Sequence, residues 1–291
     1  MQIGVIGTGI MGSNVSRCLS RKKVKLGFYN RTISKAEMLA NEVGGKVYKS
    51  PRELVEESNV VIVFLPSDDD VREIAIKISE KGNLKEPHVF VNASTVTPMA
   101  SLDTMRILDS AGVRYIEGPV YGSADEAREC KLISFIACDK TTYDEYKSIF
   151  ELYSLKTYYV GTPPKASVLK LALNNLGLAF PALLAESLML LESWGVELEL
   201  FKEVSETLWF NEIINRYWRR AMEEKPPRFK TWMVGKDYSY VASALKAKKL
   251  PSFLSDALSA MYLMASVNGY GEKDYPRIIK YYLELARKTR S

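Results

Sequence analysis

Short apolar runs alternate with amphipathic stretches through the first half of the chain. Residues 3–6, 26–29, 60–65, 89–91, 113–116 and 132–137 read as buried strands. Helical periodicity fills the gaps at 11–19, 34–43, 51–57, 69–79 and 98–110. Strands that alternate with helices and lack hairpin signals predict βαβ units, hence a parallel sheet covered by helices on both faces. Near Gly161-Thr162-Pro163-Pro164 the pattern changes, and from Lys165 onward only helical periodicity remains. Residues 166–194 predict one long apolar helix closed by Gly195. Further helices are expected at 198–211, 213–224, 238–248, 251–268 and 274–288. The boundary therefore falls at 162: an α/β domain over residues 1–162, then an all-helical one over 163–291.

Composition narrows the classes. The chain has 291 residues, 47% hydrophobic and 26% charged, which is globular. Forty Lys+Arg against 35 Asp+Glu give a net charge of +5. The basic clusters Arg21-Lys22-Lys23-Lys25 and Lys246-Lys248-Lys249 lack interleaved aromatics, so they read as solvated faces and no nucleic-acid partner is expected. No run of ~18 uninterrupted apolar residues is present, so no membrane partner is expected. Met1 runs into an apolar strand with no leader pattern, which predicts a cytoplasmic protein. Cys18, Cys130 and Cys138 show no metal-ligand spacing, and a reducing compartment is the simplest expectation. His88 is the only imidazole, which excludes a Ser-His-Asp triad or a multi-histidine metal site within one subunit. It follows Pro87, enters an apolar run and reads as a structural or solvent-facing residue at a strand edge. Gln2 is the only glutamine, a bias shared with proteins of hot-living sources.

Candidate chemistry begins at Gly7-Thr8-Gly9-Ile10-Met11-Gly12, a G-x-G-x-x-G that follows a strand and opens a helix. Gly7 permits the turn, Gly9 lets backbone approach a pyrophosphate, and Gly12 lets helix and strand pack closely. The helix N-terminus offers N–H groups to the phosphates. The expected fold class is thus α/β: an N-terminal Rossmann-type doubly wound sheet followed by an all-helical C-terminal domain. Where an acidic residue would bond a ribose 2′-OH, the second strand ends in Asn30-Arg31-Thr32, with Lys35 one turn on. Arg31 suits a 2′-phosphate, so NADP is expected over NAD. Asp68-Asp69-Asp70 reads as a helix N-terminal cap rather than a metal site.

Past the junction, Lys170 and Asn174 stand at i and i+4 on one helix among leucines. Desolvation there disfavours the charged ammonium and makes a usable acid or base. By spacing alone, a snorkelling lysine and a capping amide are the slightly better reading.

Four motifs together resemble the β-hydroxyacid dehydrogenase family, which includes 3-hydroxyisobutyrate dehydrogenase and glyoxylate/succinic semialdehyde reductase. They are the opening residues 4–12; Glu117-Gly118-Pro119-Val120-Tyr121-Gly122-Ser123 at the family's D-A-P-V-S-G-G; Gly161 through Lys170, Asn174 and Asn175; and Phe229 with Lys236-Asp237. Gly269-Tyr270-Gly271 and Asp274 fit its C-terminal pattern. The resemblance implies Lys170 as general acid/base and Asn174 as the holder of the reacting oxygen. It implies Lys236 reaching cofactor or substrate carboxylate, and Phe229 near the nicotinamide. Leu65, Pro66, Ser94 and Thr95 would contact cofactor, and Tyr121, Gly122 and Ser123 substrate, the N–H groups of the last two binding a carboxylate. Tyr121 and Ser123 depart from Ser-Gly-Gly, and Asn92 replaces the usual Asp. The implied protein is an NADP-dependent, metal-free reductase or dehydrogenase of short β-hydroxy acids or their semialdehydes, forming a homodimer or homotetramer. The rivals are an imine reductase of the same fold and a non-catalytic cofactor-binding scaffold.

Overall fold

The computed structural model describes residues 1–80, 82–84 and 88–289, so Pro87 lies outside the described residues. Two compact units divide between Leu171 and Ala172. The division falls later than 162 because the opening turns of the helix that starts at Lys165 belong to the sheet unit.

In the first unit, β1 (Gln2–Ile6), β2 (Lys25–Tyr29), β3 (Lys46–Val47), β4 (Val60–Val63), β5 (His88–Asn92) and β6 (Val113–Glu117) pair in parallel in the order 3-2-1-4-5-6. This is the doubly wound arrangement, with its reversal of strand order beside β1. Successive side chains of a strand point to opposite faces: Ile3 and Val5 join one core, Ile6 the other. Helices α1 (Ile10–Ser20), α2 (Ile33–Val43), α3 (Pro51–Glu56), α4 (Asp68–Ser79) and α5 (Pro98–Asp109) make the crossovers.

Beyond β6 the sheet turns mixed, which the strand pattern did not predict. β7 (Val120–Tyr121) and the end of β6 share one edge of β8 (Leu132–Ala137), both antiparallel to it. Between them lie α6 (Ala124–Arg128), then α7 (Lys140–Phe150) and β9 (Ser154–Gly161), which pairs with the other edge of β8. β9 carries few buried residues, so periodicity left it unmarked. His88 opens its strand as expected; it is buried, with Nδ1 3.2 Å from the Ser58 carbonyl, so of the two expected roles it has the structural one.

The second half is helical, as expected. The long helix is two helices, α8 (Lys165–Gly177) and α9 (Phe180–Trp194). Pro181 lacks an N–H and its ring excludes the carbonyl of Gly177 from the ladder. Three buried tyrosines satisfy carbonyls at this break: Tyr238 donates to Asn175 at 3.0 Å, Tyr217 to Gly177 at 3.2 Å and Tyr262 to Leu178 at 2.8 Å. Gly195 caps α9 in the left-handed region, φ 73°. By length and composition alone, residues Lys165–Trp194 could cross a membrane, a test that the core helix of a globular protein also passes. Ala182, Leu184, Ala185 and Leu188 of this stretch are packed in the helical core. The unit continues through α10 (Leu198–Ser205), α11 (Asn211–Met222), α12 (Thr231–Ala247), α13 (Phe253–Ala265) and α14 (Ile278–Thr289).

The cysteines correct the sequence expectation. Cys18 on α1 and Cys130 after α6 form a disulfide across 112 residues. Packing of α1 on α6 brings them together, and no spacing rule could reveal that. The argument for a reducing compartment therefore does not hold. Cys138 is a buried free thiol, pushed up to about 12 by burial.

Candidate active site

The glycine loop has the shape a dinucleotide requires. Gly7 sits at φ +89°, donates its N–H to Tyr29, and a Cβ there would stand 2.2 Å from the Phe64 carbonyl. At Gly12 a Cβ would fall 1.9 Å from the Gly7 carbonyl. At Gly9 it would meet nothing within 4 Å, so this face of the loop is open to an approaching phosphate. No side chain caps α1 and no acid lies in its first turn, which keeps the dipole's positive end available to an anion. Ile10 and Met11 open that turn. The Thr8 hydroxyl is buried with no hydrogen-bond partner among the described residues. A bound pyrophosphate fits all of these features.

The neighbouring turns are held by the residues expected to touch cofactor. Asn30 accepts from the Thr8 N–H at 3.1 Å and donates to the Thr32 carbonyl at 2.9 Å, tying the glycine loop to the end of β2. Arg31 is 78% exposed, its guanidinium 3.3 Å from Asp70. An ion pair so exposed is worth ~0–1 kcal/mol, so Arg31 can exchange Asp70 for another anion. Ser94 accepts from the Leu65 N–H at 2.9 Å and donates to the Val63 carbonyl at 3.3 Å, latching the end of β5 to that of β4. Pro66 and Thr95 follow these two latched positions. Ser67, rather than an aspartate, caps α4; Asp68-Asp69-Asp70 fill its first turn, where Asp68 accepts from the backbone and hydroxyl of Thr97, the cap of α5.

Lys170 is buried, with its ammonium 5.1 Å from the centre of the Tyr121 ring. The phenol that replaces a small family residue thus forms a cation–π face for the lysine. Gly122 adopts φ +136° where a Cβ would meet Leu132 at 2.8 Å. Ser123 departs from expectation. Its N–H donates to the Glu126 carboxylate at 2.7 Å and its hydroxyl to the same oxygen, a capping box that occupies the donor expected for substrate.

Glu117, quoted only as a motif letter in the sequence, anchors the lysine's helix. It is 1% exposed; Oε2 accepts from the Ala166 N–H at 2.9 Å, and Oε1 accepts from the Ser101 hydroxyl at 2.5 Å and from that of Ser167. Asn92 donates to Tyr115 at 3.1 Å, and Tyr115 lies 2.9 Å from Ser101. With Ser101 donating to the carboxylate, Tyr115 donates to Ser101, so the protons of the chain all point towards Glu117. Burial raises the Glu117 carboxyl above its ordinary range against the pull of these donors.

In the second unit, Asp237 accepts from the Asn174 amide at 2.7 Å and pairs with the Lys236 ammonium at 3.1 Å, the carboxylate buried and the lysine half-buried. Lys236 also lies 4.7 Å from the Tyr240 ring centre. Asp237 therefore orients the amide assigned to the reacting oxygen, a role that its place beside Lys236 could only have hinted at. Phe229 packs edge-on against Tyr275 at 6.1 Å, and its N–H donates to Asp274 at 3.1 Å.

Comparisons with known proteins place the chain among NAD(P)-binding oxidoreductases. Residues 2–161 match the family described as the NAD-binding domain of 6-phosphogluconate dehydrogenase. The uncharacterized oxidoreductase YfjR of Bacillus subtilis is 27% identical over 286 residues, 96% of this chain and 99% of that one. Glyoxylate/succinic semialdehyde reductase 1 of Arabidopsis thaliana is 28% identical over 207 residues, 70% and 71% of the two chains. Among solved structures, Mycobacterium tuberculosis 3-hydroxyisobutyrate dehydrogenase superposes with TM-score 0.81 at 20% identity, covering 96% and 98%. A Pseudomonas imine reductase superposes at 0.62, with 20% identity over 96% and 98%.

Proposed function

Because the chain belongs to the β-hydroxyacid dehydrogenase family of NAD(P)-binding oxidoreductases, we propose that it interconverts a short β-hydroxy acid and its semialdehyde with NADP(H), using Lys170 as general acid/base. The observation that carries this reading is the buried Lys170 ammonium, held on α8 against the Tyr121 ring. The residues of the glycine loop fit the pyrophosphate, and Arg31 would take the 2′-phosphate. The bound nicotinamide supplies or accepts the hydride. Lys170 donates its proton to the carbonyl oxygen on reduction and takes it from the hydroxyl on oxidation. Asn174, pinned by Asp237, bonds that oxygen and fixes its position. No metal is needed in this scheme.

Exposed Trp194, Trp209, Phe253, Leu254 and Val267 on the helical unit support a homodimer or homotetramer, which sedimentation equilibrium would refute by finding only monomer. The imine reductase reading shares the fold, but the buried lysine favours the hydroxy-acid reaction. The test is Lys170→Ala, assayed at 340 nm. Its kcat falls ~10²–10⁴-fold while NADP(H) affinity stays near wild type. Retained turnover removes the lysine from the chemistry, and cyclic imine reduction by the wild type selects the other enzyme.

A further inference from the structure

Cations crowd one recess of the second unit. Arg216, Arg219 and Arg220 reach it from α11, and Lys225 and Arg228 from the connection to α12; its volume is about 230 Å³. Among the described residues two carboxylates line it, Glu223 and Asp274, so five positive charges face two negative ones. Asp274 is saturated by its own neighbours. Its Oδ2 accepts from Arg220 at 2.8 and 3.2 Å, and its Oδ1 from the N–H groups of Arg228 and Phe229 at 3.0 and 3.1 Å. Glu223 pairs with Lys225 at 2.7 Å. The hydrogen bond from Lys225 holds the Glu223 carboxyl below its ordinary range, and the fields of Arg219 and Arg228 add to it. The local potential is therefore positive.

We propose that this recess binds a small polyanion of the phosphate or polycarboxylate class. A guanidinium presents a planar fork that matches two oxygens of either group, and several forks converging on one concavity suit an anion with two or more charges. Five like charges gathered around one concavity repel one another, and a bound anion relieves that repulsion. The wall is built rather than loose. Asp274 ties Arg220 to the backbone of the facing segment, and Arg220 stacks 4.9 Å from the Tyr275 ring centre. The recess is too small to seat a duplex groove. Lys170, Asn174, Phe229 and Lys236 do not line it, so the proposal does not use the residues assigned to the hydride chemistry.

Isothermal titration of the full chain, saturated with NADP⁺ so that the glycine loop does not compete, tests it with inorganic pyrophosphate and, separately, citrate at constant ionic strength. Saturable binding is expected, weakened at least ~10-fold in Arg216→Ala/Arg219→Ala and unchanged in Lys22→Ala/Lys23→Ala. Both replaced arginines are exposed, and circular dichroism checks that the variant folds. Binding of both anions supports the class as stated, and binding of pyrophosphate alone supports its phosphate branch. Absence of saturable binding overturns the proposal, as does equal weakening in the two variants. Tighter, equally arginine-dependent binding of a DNA duplex replaces it with a nucleic-acid surface.

Discussion

Removing the Glu117 carboxylate separates two roles of one buried group. Glu117→Ala strands the Ala166 N–H and the hydroxyls of Ser101 and Ser167, all close to the start of α8. An unsatisfied buried donor costs ~1–3 kcal/mol. The hydroxyls can rotate to other acceptors while the backbone N–H cannot, so the sum is about 3–5 kcal/mol with the lost side-chain volume. Glu117→Gln keeps one acceptor for Ala166 and is the milder change. Its pH dependence is the sharper test. The carboxyl is raised in the folded protein, so its contribution is fully present below the ordinary value of 4.5 and is lost as pH rises through the folded value. Glutamine does not titrate there. The stability deficit of Glu117→Gln relative to wild type is therefore largest at acid pH and shrinks as pH increases. Urea unfolding followed by circular dichroism from pH 4 upward reads the gap. A deficit that widens with pH would show the anion to be the stabilising form and refute the burial argument. The same variant also lets the first turn of α8 shift, lowering kcat with NADP(H) affinity unchanged.

Other expectations rest on separate contacts. Arg31→Asp replaces a 2′-phosphate partner with a repelling charge and raises KM for NADP⁺ by ~10–100-fold while sparing NAD⁺; equal effects on both cofactors would place the 2′-phosphate elsewhere. Cys18→Ser, or reduction with dithiothreitol, removes a cross-link worth about 2–4 kcal/mol and lowers Tm by roughly 5–15 °C. An unchanged Tm after thiol titration has verified reduction would contradict that. Glu126→Ala frees the Ser123 N–H, and one added charge-assisted bond lowers KM about 10-fold for a carboxylate substrate. Substrates without a carboxylate serve as the control, and a matching change with them would rule out the competition.

Local pattern determined much of this protein. Strands β1, β2, β4, β5, β6 and β8, the glycine loop before α1, the helical second half and the left-handed cap at Gly195 all follow from periodicity and backbone sterics within a few residues. The lysine and asparagine one turn apart were legible for the same reason. Tertiary structure decided what depends on distant partners. Cys18 meets Cys130 only because α1 packs on α6, and Glu117 pins α8 only because β6 ends beside Ala166. Ser123 has its N–H taken by Glu126, and Pro181 breaks a helix whose freed carbonyls need three tyrosine hydroxyls from elsewhere in the fold. Periodicity reports which face of an element is buried, whereas a hydrogen bond or disulfide needs two atoms within a few ångströms, and only the folded chain sets that separation.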